Sequence, residues 1–229
     1  MHSILIPGLM NDGWVWQGQI GPLSRLGPVT VANNDGCDSL AAMAERALAA
    51  TDGPVAVIGH SMGGRVALEA AAQAPDRVRR LVLLDTGAGG PSAAERPGRM
   101  KLVDLARAQG MRAVCDAWLP PMLAPALRGD AALVRGIEAM LDRCTPDIFA
   151  AQQKALLERT ERVPLLPKLG CKVLVATGSE DEWASPRQHA EMAAAIPQAT
   201  LRIVSGAGHM LPLEKPDLLA DLLVRWLAG

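Results

Sequence analysis

The chain alternates between two patterns of apolar positions. Short, mostly apolar runs lie at residues 3–6, 29–32, 55–58, 81–84, 173–176 and 201–204, each running into turn-forming residues. Runs of that length are too short for helices and read as strands, the apolar ones buried on both faces. Between them lie longer stretches of helical character at residues 14–26, 40–50, 62–74, about 185–195 and 216–227. Strands alternating with helices predict βαβ units and a mostly parallel wound sheet covered on both faces. Local signals support the bounds. Asp38 is read as the N-cap of the second helix. Ser185-Pro186-Arg187-Gln188 forms a capping box with Pro at the first helical position.

The pattern changes after Gly87. No strand is found between there and Gly170. Helical periods appear instead at residues 100–108, 113–119, 131–143 and 148–162. Leu133, Ile137, Met140 and Leu141 form a stripe at helical spacing, and Thr145-Pro146 reads as a cap followed by Pro. Such a stretch cannot sit within the sheet. Residues 87–170 are therefore expected to form a helical cap, or lid, over the carboxyl edge of a core made by 1–86 and 171–229.

The central feature is Gly59-His60-Ser61-Met62-Gly63, which fits G-x-S-x-G. An apolar strand precedes it and a helix follows, the context in which a tight strand-to-helix turn lifts a serine hydroxyl off the sheet. A Cβ at Gly59 or Gly63 would crowd the elements on either side. The other reading of Ser61 is a helix N-cap without chemistry.

Ligands of wound sheets bind beyond the carboxyl ends of the strands. Ser61 follows the third strand, Asp181 the fifth and His209 the sixth, in the chain order known for hydrolases built on such a turn. The residue types suit one another. A serine hydroxyl needs a base, an imidazole can take and return its proton, and a buried carboxylate can orient that imidazole. Backbone N–H groups of Met62, at the helix start, and of Leu9 are candidates for an oxyanion hole. Glu180, Glu182 and Asp85 compete with Asp181 as the acid. His60 is expected to pack or hydrogen-bond near the sheet, and His189 to be solvated in its helix. Trp14 and Trp16 either pack the first helix or wall a pocket. Trp118 with Met122 is lid core or pocket wall, Met210 is a further pocket candidate, and Trp183 is read as packing.

Composition narrows the classes. Lys and Arg number 23 against 24 Asp and Glu, for a net charge of −1, with no basic run. That argues against nucleic acid and anionic membrane partners. No apolar stretch reaches the length of a membrane span, and Met1-His2-Ser3 lacks a basic leader, so no secretion is expected. Cys37, Cys115, Cys144 and Cys171 are scattered, which suits free thiols in a reducing, cytoplasmic setting. No metal-ligand spacing, G-x-G-x-x-G or Walker loop occurs, so no cofactor or metal is expected. Nothing in the sequence sets the oligomeric state.

These residues carry a resemblance. The elbow Gly59-His60-Ser61-Met62-Gly63-Gly64, the strand end Arg80-Leu81-Val82-Leu83-Leu84-Asp85, the loop Gly178-Ser179-Glu180-Asp181 and the terminal Gly208-His209-Met210-Leu211-Pro212 are similar to the α/β-hydrolase superfamily, of the small capped serine esterase type. The resemblance spans nearly the whole chain. The usual His-Gly of the oxyanion loop is Pro7-Gly8 here. The chain starts at what resembles the family's third strand, which implies about six strands instead of eight. It implies a cofactor-free serine hydrolase acting on an ester of a small, mostly apolar molecule. C–C bond, thioester or lactone hydrolysis, perhydrolysis and a slow ligand sensor on the same scaffold stay open.

Overall fold

The computed structural model describes residues 1–229. Six strands form one sheet in the order β2-β1-β3-β4-β5-β6, every neighbouring pair parallel. They are β1 (His2–Ile6), β2 (Val29–Val31), β3 (Val55–His60), β4 (Val78–Leu84), β5 (Lys172–Gly178) and β6 (Thr200–Val204). The expected wound sheet of six strands is therefore present. All six residues of β3 are buried, as an apolar run in the middle of a covered sheet must be. β4 starts earlier than its apolar run, because Val78 pairs with Val55 while Arg79 and Arg80 lie toward solvent.

Between β1 and β3 lie α1 (Gln17–Ser24) and α2 (Leu40–Leu48). The single helix expected over 14–26 is split. Asp12 accepts from the Trp14 N–H at 2.8 Å and starts a 3₁₀ turn, Gly13–Trp16, before α1. The cap of α2 is Ser39, not Asp38. Ser39 Oγ accepts from the Ala42 N–H at 3.2 Å, while the Asp38 carboxylate is drawn off to Lys154 Nζ at 2.7 Å.

α3 (Met62–Gln73) follows β3 directly. After β4 the chain is helical, in α4 (Glu95–Gln109), α5 (Met111–Trp118), α6 (Ala131–Leu141) and α7 (Pro146–Leu157), with two short 3₁₀ turns between α5 and α6 and another after α7. α4 begins before its apolar period does, since Glu95 in its first turn is held by Arg99 and Arg159. The chain then returns through β5, α8 (Pro186–Ala194) and β6, and closes with the short α9 (Leu211–Glu214) and α10 (Pro216–Ala228). No helix is long and apolar enough to cross a membrane. All four cysteines are free thiols.

Register brings the strand ends together. His60 pairs with Leu84, Leu84 with Ala176, and Gly178 with Val204. The ladder even runs one residue past the strands: Ser61 N–H donates to Leu84 O at 2.8 Å and Asp85 N–H to Ala176 O at 3.0 Å. The turn after β3 is so tight that a Cβ on Gly63 would fall inside contact distance of the Ile6 carbonyl oxygen, and one on Gly59 would strike the Gly63 carbonyl. Backbone cannot give way as a side chain tip can. Gly63→Ala is therefore expected to lower unfolding stability by at least about 3 kcal/mol. A urea midpoint equal to wild type would show that the turn has slack that the structure does not.

Candidate active site

Ser61 stands between β3 and α3 with φ 55° and ψ −117°. A positive φ is costly for a residue with a Cβ and persists only where both flanks impose it. Here β3 and α3 are buried against each other with only glycines at the crossing. The strained turn points the Ser61 hydroxyl at His209, whose Nε2 lies 2.8 Å from Oγ. On the other side of the ring, His209 Nδ1 is 2.9 Å from Asp181 Oδ2. A carboxylate only accepts, so Nδ1 carries the proton and Nε2 is left to accept from the serine.

Asp181 is fixed by more than the imidazole. Its Oδ1 accepts from the N–H groups of Trp183 at 2.8 Å and Ala184 at 2.9 Å, and Thr177 Oγ1 lies 3.3 Å from Oδ2. Burial alone would raise this carboxyl, but the His209 ring and these N–H donors outweigh it and hold it below the usual range. Asp85, at the end of β4, is the reverse. It is fully buried, Oδ1 accepts only from the Gly178 N–H at 3.1 Å, and Oδ2 has no partner. Burial, then the nearby Asp181 charge, push its carboxyl well above the ordinary value. It makes no hydrogen bond to His209, so of the competing acids the structure brings only Asp181 to the imidazole.

The sequence carried little sign of how firmly His209 is held. Its N–H donates to Met122 O at 2.8 Å, and its carbonyl accepts from His60 Nε2 at 2.7 Å. His60 is buried under the site, and burial with the His209 charge pushes it down to about 3, so it stays a neutral strut. Glu214 accepts from Gly208 N–H at 2.9 Å and Met210 N–H at 3.0 Å within the His209 loop. It also accepts from Ala124 N–H at 3.0 Å, across the chain. His189, expected in solvent, is wholly buried. Its Nε2 accepts from Thr86 N–H at 3.0 Å and its Nδ1–H donates to Ser185 O at 3.1 Å, so it ties the β4 end to α8. A histidine four residues after a cap serine sits one turn along from it, and that spacing was the available signal.

A cavity of about 120 Å³ opens beside Ser61. Leu9, Met62, Trp118 and Met122 line it, together with Trp183, which is half exposed and lies tilted against Trp118 with ring centroids 6.2 Å apart. Trp14 and Met210 do not line it. Trp14 packs its ring against Gly136 of α6, and Met210 is buried with its N–H on Glu214. Leu9 N–H donates to no protein acceptor, and Met62 opens α3, where the backbone N–H has no intrahelical partner. Of the 15 lining residues, seven are hydrophobic, so the lining is more polar than a mostly apolar substrate would need. It includes Arg65 and Arg99.

Residues 4–222 match the family model described as the alpha/beta hydrolase family. The chain belongs to that family. The chain is 31% identical to N-formylmaleamate deformylase of Pseudomonas putida, over 70% of this chain and 59% of that protein. It is 30% identical to polyketide synthase ThaQ of Burkholderia thailandensis, over 98% of this chain and 12% of that protein. It thus spans well under two thirds of the length of these curated relatives. A solved thermophilic esterase from Thermogutta terrifontis, malate bound, superposes with a TM-score of 0.92 at 26% identity, covering 100% of this chain and 89% of that one.

Proposed function

We propose that this chain is a serine hydrolase that cleaves the carboxylic ester of a small molecule through an acyl-enzyme, with no cofactor. Ser61 is the nucleophile. His209 takes its proton as the oxygen attacks and passes it to the leaving alcohol. Asp181 keeps the ring in the tautomer that can accept and stabilises the imidazolium that forms. The N–H groups of Leu9 and Met62 receive the oxyanion, a donor each worth on the order of 3 kcal/mol at the transition state. Water, activated by the same imidazole, then clears the acyl group. Residues 87–170 act as a cap, with Trp118 and Met122 placing part of it in the cavity wall.

One observation carries this reading: a serine held at positive φ has its Oγ 2.8 Å from an imidazole whose far nitrogen is bonded to a buried carboxylate at 2.9 Å. The similarity to an esterase structure supports the ester as the bond cut. The test is covalent labelling with a fluorophosphonate. Wild type is expected to gain one phosphonyl group, mapped to the peptide holding Ser61, and Ser61→Ala none. Label on another residue, or equal label in the variant, would remove Ser61 from this role.

A further inference from the structure

Two guanidinium groups, Arg65 and Arg99, line the cavity, and a third, Arg159, is joined to Arg99 through Glu95. Arg65 lies one turn along α3 from Ser61, and its N–H reaches the Ser61 carbonyl at 3.4 Å. Arg99 comes from α4 and Arg159 from just after α7. Their carboxylates are already taken. Glu95 accepts from Arg159 Nη1 at 3.0 Å and Nη2 at 2.7 Å, and from Arg99 Nε at 3.1 Å. Glu69, on the same helix as Arg65, is held by two nitrogens of Arg162. Arg99, Arg159 and Arg162 thus take up the two nearby carboxylates, and burial of Asp85 at the cavity disfavours a charge on it.

Arg65 is the cation left over. It forms no ion pair, and its one side-chain hydrogen bond is from Nη1 to Gly89 O at 2.7 Å. A guanidinium has five N–H bonds in a planar fork, so most of its donors remain unmatched. Burial, and then the charge of Arg159, push it down to about 9. A half-buried arginine without a counter-charge is costly to fold around unless something else pairs with it. Both Arg65 and Arg99 line the cavity that holds Ser61 and His209.

We infer that the natural substrate carries a carboxylate, which docks on the open fork of Arg65 with Arg99 beside it while Ser61 attacks the ester. This rests on the reading of Ser61 as nucleophile and narrows it. Only one fork is free: Arg99 spends Nε on Glu95 and Nη1 on Gln153 Oε1 at 2.9 Å. A single planar fork fits the two oxygens of a carboxylate monoanion. A cavity of about 120 Å³ sets the scale at a short chain between the two groups.

Two matched ester pairs test this and locate the carboxylate. Mono-p-nitrophenyl glutarate against p-nitrophenyl valerate places the charge on the acyl side. 4-Acetoxybenzoate against 4-acetoxybenzamide places it on the leaving group. Wild type is expected to favour the charged member of one pair by at least about tenfold in kcat/KM, as a charge-assisted hydrogen bond implies. Arg65→Met should reduce that ratio to about one, and Arg65→Lys should restore part of it, as expected of a point charge without the fork. Free glutarate should protect wild type from the fluorophosphonate more strongly than it protects Arg65→Met. Wild-type ratios at or below one in both pairs would overturn the inference even if the variants failed to fold. If Ser61 is not the nucleophile, neither pair is turned over through it and no label appears there, an outcome distinct from hydrolysis without charge preference.

Discussion

Ser61→Ala is expected to cut kcat for a short p-nitrophenyl ester by about 10⁴-fold or more, to a rate near the uncatalysed background. The structure leaves no substitute. His209 Nε2 faces Ser61 Oγ at 2.8 Å, and no other hydroxyl bonds to that ring. Alanine keeps the Cβ and removes only Oγ, which caps no helical N–H. The backbone at positive φ is already paid for by β3 and α3, so stability should barely change. A stopped assay with an unaltered urea midpoint separates loss of chemistry from loss of fold. Retained turnover at wild-type rate would mean that attack comes from elsewhere.

Asp181→Asn is expected to lower kcat by about 10⁴-fold, since the amide can donate to Nδ1 and stabilise the wrong tautomer. With Nδ1 made an acceptor, Nε2 bears the proton and can no longer take one from Ser61. The contrast is Asp85→Asn. Burial and repulsion from Asp181 raise the Asp85 carboxyl, and Asp85 makes no hydrogen bond to His209, so an amide of the same shape there leaves the imidazole and its partners in place. Its loss should be smaller than that of Asp181→Asn by at least about a hundredfold. Steady-state kinetics on both variants decides between the two acids. A reversed order would place the working carboxylate on β4.

Much of this was legible in the chain because each piece is a local signal. A run such as Val55-Ala56-Val57-Ile58 cannot be other than covered strand once glycine and a helix follow it. The order of Ser61, Asp181 and His209 puts three strand ends at one rim whenever the sheet is parallel. What escaped was set by partners far along the chain. Asp38 looks as good a cap as Ser39 until Lys154 arrives beside it. His189 reads as a surface helical residue, because its acceptor role toward Thr86 N–H depends on how α8 leans on β4. Trp14 fills the groove at Gly136, a pairing between residues that no local pattern links. The charge of the cavity escaped as well. Arg65 and Arg99 each look like ordinary solvated helix residues in sequence, and it takes the packing of α4 on α7 to bring Arg99 to the space that Arg65 borders.

The grip of Glu214 has a consequence for traffic. One carboxylate holds Gly208, Met210 and Ala124, and the Met122 carbonyl holds His209 itself. Lifting the 122–124 stretch would therefore drag the imidazole out of line and disarm the enzyme for as long as that door stood open. The rim at Trp183 is tied in from the other side, since its N–H holds Asp181 at 2.8 Å, so displacing that rim would loosen the carboxylate that steadies the ring.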